Sequence, residues 1–235
     1  MHNKILLNGA VFVATCLSAS GVITWTGGGA ESDFYDSANW DFSGSSSSEM
    51  VLGGGNPSAG TDDDITISGA TINESSGAFS NIEIGEGLEV TLDGTSFTFT
   101  NNNGFTGLDN NDDVLATLNL LGGSSLSAQF AAIGITVNVD STSSVVFRGG
   151  GDPINSQLEK TTINLEPGAQ LTLPTVAEFT EQGADIVVGG VTFAADPSIL
   201  TFNGTTATAN VVIPEPSSSL LVGLSLFGLL SRRRK

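Results

Sequence analysis

The feature that most constrains the fold is a pair of short apolar runs that recurs along the middle of the chain. In each pair an apolar residue of the second run lies eight positions after the first run begins: 82 to 90, 118 to 126, 137 to 145 and 163 to 171. Three of the four first runs carry asparagine at their middle position, namely Asn119, Asn138 and Asn164. A strand, a short turn and a second strand that recur every ~20–25 residues predict the coil of a parallel β-helix.

The rest of the body carries the same signal. Apolar and polar residues alternate in short runs such as 64–67, 88–92, 96–100 and 186–188, and Gly, Asn and Asp separate the runs. This alternation is typical of half-buried strands, and no internal segment keeps a helical period. We therefore expect an all-β chain with one β-solenoid-like domain, in which residues 94–113 belong to an extra irregular coil. A β-sandwich of antiparallel hairpins is the alternative.

The charge of the body excludes several function classes. All 25 acidic residues lie between Glu31 and Glu215, where only Arg148 and Lys160 oppose them. Such a surface excludes nucleic acid as a partner, because nucleic-acid binding needs clustered cations. The only histidine (His2) and the only cysteine (Cys16) both lie near the N-terminus. A body without either residue has no disulfides and no zinc site of the His/Cys type.

The N-terminus has the organisation of a secretory signal peptide. Lys4 gives a positive start, residues 5–17 are mostly apolar, and Ser18-Ala19-Ser20-Gly21 supplies small residues for cleavage. We predict a signal helix over residues 1–21, cleaved after Ser20 or Gly21. A lipoprotein signal ending at Cys16 is the alternative, although Thr15 fits that pattern badly.

The C-terminus has three parts in a fixed order. Pro214-Glu215-Pro216 forms an extended spacer, because each proline fixes φ and lacks an N–H. An uncharged apolar run follows to Leu230, shorter than the roughly 20 residues that cross a bilayer as a straight helix. Four cations end the chain and predict a cytoplasmic membrane stop: Arg232, Arg233, Arg234 and Lys235. A plain membrane anchor and a buried terminal helix are the alternatives.

This tail resembles the PEP-CTERM sorting domain of Gram-negative bacteria, with Ile213 where valine is usual. The resemblance covers residues 213–235. It implies processing by an exosortase, a membrane-embedded cysteine transpeptidase, at or near Pro214-Glu215-Pro216. It further implies a producer of exopolysaccharide or biofilm matrix.

A second resemblance covers residues 23–67. A Trp-x-Gly start at Trp25, an Asn-Trp pair at Asn39-Trp40 and an Asp-rich turn before Ile65 look like the opening of many PEP-CTERM and autotransporter-like β-helical surface proteins. Trp25, Tyr35 and Trp40 have two interpretations. They stack on sugar rings, or they form an aromatic cap on the end of the solenoid, which terminal repeats need.

Catalysis is not expected. A Ser/His/Asp triad needs histidine, and a lyase-type base would have to be Arg148 or Lys160, neither of which lies in a catalytic pattern. Glycoside hydrolysis needs two carboxylates at a set distance, and so many acids satisfy that requirement by chance. A polysaccharide-degrading β-helix enzyme remains the weakest alternative.

Calcium is the one cofactor that the sequence suggests. Two short acidic loops concentrate the oxygen ligands that a hard cation prefers, and neither matches an EF-hand. Solvated turns explain the same residues, since Asp and Asn are common there. The candidate ligands are Asp62, Asp63, Asp64, Asp109, Asp112 and Asp113.

These observations predict three regions: a signal peptide (1–21), a solenoid-like body (22–212) and a sorting segment with a hydrophobic transmembrane helix (213–235). We expect an exported structural or adhesive protein that is held at the inner membrane before processing. It would then lie at the cell surface or in a biofilm matrix, with exosortase and exopolysaccharide as candidate partners. A carbohydrate-binding surface protein is the alternative function.

Overall fold

The computed structural model describes residues 22–29, 34, 36–45, 64–74, 81–85, 87–107, 115–132, 134–149, 153–155 and 161–211. The predicted signal helix and the predicted C-terminal hydrophobic helix lie outside these residues. The body is a β-solenoid, as predicted, and each full coil gives one strand to each of three sheets.

An opening strand and four complete coils build most of the body. The opening strand β1 (Val22–Trp25) is followed by a 3-10 turn at Ser37–Asn39 and by β2 (Trp40–Asp41). The coils are β3 (Asp64–Ser68), β4 (Thr71–Glu74) and β5 (Ile82–Ile84); β6 (Glu89–Asp93), β7 (Ser96–Phe99) and β8 (Phe105–Gly107); β9 (Ala116–Leu121), β10 (Ser125–Ala128) and β11 (Ala131–Ala132); β12 (Ile135–Val139), β13 (Ser144–Phe147) and β14 (Ile154–Asn155).

The C-terminal part departs from this pattern. In the fifth coil, strands β15 (Thr162–Leu165) and β16 (Gln170–Thr172) are followed by helix α1 (Val176–Glu181), where a third strand would be expected. The helix begins with a capping box between Thr175 and Glu178. The remaining elements are β17 (Ile186–Val188), β18 (Val191–Thr192), a 3-10 turn at Pro197–Ile199, β19 (Leu200–Asn203) and β20 (Thr206–Ala209).

Parallel pairing connects the coils. Sheet 1 has the order β18-β17-β15-β12-β9-β6-β3-β1-β2, sheet 2 has β19-β20-β16-β13-β10-β7-β4, and sheet 3 has β14-β11-β8-β5. Every antiparallel pair in the described residues includes at least one of the terminal strands β2, β18, β19 and β20. The β-sandwich alternative is therefore wrong, because it requires antiparallel hairpins throughout.

Three of the four predicted units have the predicted register, and one does not. Leu118 lies opposite Val137, and Val137 lies opposite Ile163, all in sheet 1. Ile82, in contrast, lies in sheet 3, and Val90 is the true equivalent of Leu118. Residues 94–107 do not form the expected extra irregular coil, because they supply β7 and β8 of the regular second coil that begins with β6. Apolar and polar residues alternate with the same period in all three sheets, so the alternation does not reveal to which sheet a strand belongs.

Inward side chains from the three sheets fill one apolar core. Phenylalanines dominate its N-terminal half, where the Phe97 ring centroid lies 5.1 Å from Phe99 and 5.5 Å from Phe105. All three side chains are fully buried. Burial of one such side chain stabilises the fold by about 1.5–3 kcal/mol. This core holds the coils together without disulfides.

Aromatic residues also close both ends of the core. At the N-terminal end the Trp40 indole donates to the Phe34 carbonyl oxygen at 2.7 Å, and the two rings meet edge-on at 5.0 Å. At the C-terminal end Phe179 of α1 contacts Phe202 edge-on at 4.9 Å. Each end also carries antiparallel strands that cover part of the sheet edges. Such caps limit edge-to-edge association of the coils.

A line of buried hydroxyl groups follows the corner between sheets 1 and 2. We call Thr95, Ser124 and Ser143 the corner ladder; each is at most 2% exposed. The Ser124 hydroxyl accepts from the Thr95 N–H at 3.0 Å, and the Ser143 hydroxyl accepts from the Ser124 N–H at 3.0 Å. The corner ladder thus provides hydrogen-bond partners for backbone groups that cannot pair within a sheet at the tight corner.

Candidate functional surface

The outward face of sheet 1 carries the most regular polar surface of the described body. Three successive coils place the tripeptide Thr-x-Asn in register there, because Thr117 pairs with Thr136 and Thr136 pairs with Thr162. The central apolar residue of each tripeptide points into the core, so the flanking Thr and Asn point outward. Successive coils repeat these side chains at strand spacing, about 4.8 Å.

The three asparagines form a hydrogen-bonded line that we call the amide ladder: Asn119, Asn138 and Asn164. Asn138 Nδ2 donates to Asn119 Oδ1 at 2.9 Å, and Asn164 Nδ2 donates to Asn138 Oδ1 at 3.0 Å. Asn119 Nδ2 in turn donates to Glu89 Oε1 at 2.5 Å. These bonds hold the amide planes in one orientation along the solenoid axis.

The amide ladder keeps hydrogen-bonding capacity for a ligand. A side-chain amide offers two N–H donors and two acceptor lone pairs. Within the described residues, Asn138 uses one donor and one acceptor, and Asn164 uses one donor. Both side chains are half-buried, and both contribute to the lining of a surface groove.

A groove of about 380 Å³ runs beside the amide ladder. Its lining includes Asn138, Asn164 and Val187, together with Leu121 at the end of β9 and turn residues such as Glu166. These residues belong to four successive coils, so the groove follows the solenoid axis for three strand spacings, or about 14 Å. The groove therefore suits an elongated ligand better than a compact one.

Two carboxylates border the groove, and both are held by the backbone of a neighbouring coil. Asp140 Oδ2 accepts from the Gly122 N–H at 2.7 Å, and Glu166 Oε2 accepts from the Ser141 N–H at 3.3 Å. Partial burial raises the pKa of Asp140. Hydrogen bonds from Ser143, Thr142 and Gly122 outweigh that effect and hold this pKa below its usual value. Asp140 therefore stays ionised at neutral pH and supports the turn.

The predicted aromatic residues lie at the N-terminal end of the solenoid. Trp40 is 6% exposed, and its ring meets the half-buried Trp25 ring edge-on at 5.0 Å. Asn39 orders this segment, because its Oδ1 accepts from the Gly29 N–H at 2.7 Å. Trp40 has no open face for a sugar ring, whereas Trp25 lines a pocket of about 250 Å³ with Thr71. Tyr35 lies outside the described residues.

Most of the predicted calcium ligands also lie outside the described residues: Asp62, Asp63, Asp109, Asp112 and Asp113. Asp64 is described, and its Oδ1 accepts from the Glu89 N–H at 2.9 Å in the next coil. In the described ranges, no three His, Cys, Asp or Glu side chains come together as a metal site. Calcium binding by the acidic loops stays a prediction.

Sequence reasoning missed two features of the structure, the groove on this surface and a buried carboxylate. The fixed position of Asn119, Asn138 and Asn164 was recognised, but the groove beside them was not. Its lining comes from turns such as Pro167 and Gly189-Gly190, which look like ordinary loop residues in the sequence. Glu74 was also missed: it is 1% exposed, and its Oε2 accepts from the Phe34 N–H at 2.8 Å. Its place in an alternating strand gives the only hint, since Glu74 occupies an inward position.

The predicted sorting motif (Pro214, Glu215, Pro216) and membrane stop lie outside the described residues. Within the described ranges no helix combines the length and the apolar character needed to span a membrane. No curated protein and no solved structure shows significant similarity to the chain. Residues 212–235 match a family model described as the PEP-CTERM protein-sorting motif. The chain thus carries a β-solenoid body and a PEP-CTERM tail, which implies an exported exosortase substrate anchored at the membrane before processing.

Proposed function

We propose that the protein is a structural or adhesive component of the cell surface or of a biofilm matrix, and that it is not an enzyme. The observation that carries this proposal is the combination of the sorting motif at residues 212–235 with a solenoid body. The motif implies export. A solenoid supplies an elongated, regular surface that suits contact with extended molecules outside the cell.

The construction of the body supports a structural role. Parallel backbone pairing links every coil to the next, and the aromatic ends close the core. Stability comes from apolar burial and hydrogen bonds, without disulfides, so the fold does not depend on the redox state outside the cell. Between Glu31 and Glu215 the 25 acidic residues are opposed only by Arg148 and Lys160, and this excess negative charge favours solubility of the released body.

The non-enzymatic assignment rests on the chemistry of the side chains. The predicted mature body has neither His nor Cys, so the usual nucleophile and base pairs are missing from its sequence. Asp140 and Glu166, which border the groove, already accept backbone hydrogen bonds that support turns. The pKa of Asp140 is held below its usual value, whereas a general acid needs a raised pKa.

Exosortase dependence tests the export route. The full-length protein, with an internal epitope tag, would be expressed in its native type of host with and without the exosortase. We expect loss of the segment after Pro214-Glu215-Pro216 and release of the body only when the exosortase is present. A matched variant, Pro214→Ala with Pro216→Ala, should stay unprocessed in both strains.

The contrary result is also clear. An intact tail in the membrane fraction of both strains would identify a plain C-terminal anchor and remove the support for a matrix role. Intact mass distinguishes the two outcomes, because removal of the tail deletes the apolar run and all four terminal cations.

A further inference from the structure

The groove beside the amide ladder has features that restrict its occupant. It crosses the strands instead of following them. Strands β12 and β15, which form its floor, each have hydrogen-bonded neighbours on both sides. Their backbone N–H and C=O groups are therefore used, and a peptide cannot add there as an extra strand.

The charges around the groove exclude an anionic ligand. Among the described side chains that line it there are two carboxylates and no basic group. Arg148, the only basic residue in the described part of the chain, donates instead to the carbonyl oxygens of Phe99 and Asn101. A polyuronate or a nucleic acid would meet uncompensated negative charge.

The groups that remain for a ligand are neutral. Asn138 and Asn164 offer amide donors and acceptors, while Leu121, Pro167 and Val187 offer apolar surface. Leu121 is 39% exposed, so part of this apolar surface is open to a ligand. Hydroxyl groups that alternate with C–H surfaces match this combination, and sugar rings carry both.

We propose that this groove binds a few sugar rings of an uncharged, extended polysaccharide, laid along the solenoid axis across the coils of β9, β12, β15 and β17. The strand spacing of about 4.8 Å presents one amide per coil, a repeat close to the length of one sugar ring in an extended chain. This proposal rests on the proposed function, because export places the body where polysaccharide is found.

Affinity electrophoresis in native gels tests the proposal with the full-length protein in mild detergent. The neutral probes are hydroxyethyl cellulose and galactomannan, and polygalacturonate is the acidic probe. We expect at least one neutral polymer to slow the protein and polygalacturonate to leave its mobility unchanged. Combined Asn138→Ala and Asn164→Ala substitutions should weaken retardation about tenfold, or about 1.4 kcal/mol, because both amides lose their hydrogen bonds to the polymer.

Two further variants keep the result interpretable. Leu121→Arg fills the groove without touching the amide ladder and should abolish retardation even if the asparagine variants fold poorly. Thr98→Ala with Ser127→Ala removes hydroxyls from a registered pair on the outward face of sheet 2 and should leave retardation unchanged.

Several outcomes would overturn the proposal. They are no retardation by either neutral polymer, equal retardation of the Leu121→Arg variant, or stronger retardation by polygalacturonate. Displacement of a bound neutral polymer by oligolysine would instead identify a cationic peptide site. Each measurement uses purified protein, so failure here would leave the exosortase result intact, and failure of exosortase processing would leave the binding result intact.

Discussion

The corner ladder inside the solenoid and the amide ladder outside it are built by neighbouring positions of the same coils, but their surroundings differ. Ser124 is 1% exposed and satisfies the backbone N–H of Thr95. Asn138 is half-buried and bonds to equivalent side chains in the coils above and below. Loss of a corner-ladder hydroxyl leaves buried polar groups without partners, whereas water can replace the hydrogen bonds of the amide ladder. The inner ladder therefore determines stability, and the outer ladder leaves groups available for binding.

The largest change in the free energy of unfolding should follow the removal of one buried hydroxyl group. Ser124→Ala should lower the free energy of unfolding by about 1–3 kcal/mol, because the Thr95 N–H would lose its buried acceptor. The Ser124 hydroxyl also lies 2.6 Å from the Leu121 carbonyl oxygen and 2.9 Å from the Leu92 carbonyl oxygen, and the variant would remove the one O–H that these two acceptors share. Urea unfolding followed by circular dichroism measures the change.

The adjacent residue provides a matched control. Ser125 is half-buried on the outward face, where its hydroxyl donates to the Ser96 hydroxyl at 3.1 Å. Because water can replace this bond, Ser125→Ala should change the free energy of unfolding by less than about 0.5 kcal/mol. Equal losses for the two alanine variants would show that burial does not distinguish the two positions, and the comparison would fail.

Removal of the middle amide should have an intermediate effect. Asn138→Ala breaks the bonds to Asn119 and Asn164, and we expect a loss of about 1 kcal/mol because water replaces part of both. Asn164→Ala, at the end of the ladder, should cost about half as much. A double-mutant cycle on Asn119 and Asn138 should give a coupling energy of at least about 0.5 kcal/mol. Additive losses would mean that the amides act independently.

Much of this architecture could be predicted from the sequence. The eight-residue offset and the repeated asparagine identified three true neighbours in sheet 1, because loops of different length do not disturb the pattern within a coil. Sheet 3 could not be predicted, since strands such as Ala131–Ala132 and Ile154–Asn155 are too short for a period-two pattern. For the same reason Ile82–Ile84 was placed in the wrong sheet.

The two ladders also differ in how far the sequence reveals them. Asn119, Asn138 and Asn164 stand out because asparagine is uncommon inside strands. Ser124 and Ser143 do not, since serine and threonine occur throughout the body and only burial separates a structural hydroxyl from a surface one. The groove depends on turn residues from four coils, and no local pattern places these residues together.

Low pH should reduce the stability of the outer turn that Asp140 supports. The hydrogen bonds to Asp140 hold its folded-state pKa below the ordinary 3.8, so its contribution to stability is present above that value. The contribution disappears as pH falls through the lower folded-state pKa. We expect Asp140→Asn to flatten the decline in unfolding free energy below about pH 4. An unchanged acid dependence in this variant would contradict the assignment.

Glu83 should respond in the opposite direction. Burial on the outward side of β5 raises its pKa above the ordinary 4.5, so the charged form destabilises the fold. Stability from this group should increase as pH falls through the raised value. Glu83→Gln should therefore raise the unfolding free energy slightly at pH 7 and remove this increase. A loss of stability at pH 7 would contradict the expectation.

The smallest effect should come from the threonine row beside the amide ladder. Thr136→Val keeps a β-branched side chain at a half-buried outward position, so the free energy of unfolding should change by less than about 0.5 kcal/mol. Thermal unfolding measures this change against the wild type. A loss of unfolding free energy as large as that of Ser124→Ala would contradict this expectation, because it would mean that Thr136 belongs to a buried hydrogen-bond network.

Both ladders require that the coils stack in one register, and disulfide crosslinking tests that register directly. In a Cys16→Ser background, Thr117→Cys with Thr136→Cys places the two sulfurs on neighbouring coils. Their Cα atoms lie one strand spacing apart, about 4.8 Å, which is within disulfide range. We predict rapid oxidation within one molecule for this pair. Thr117→Cys with Thr162→Cys spans two coils and should stay reduced; the reverse result would contradict the stacked-coil account.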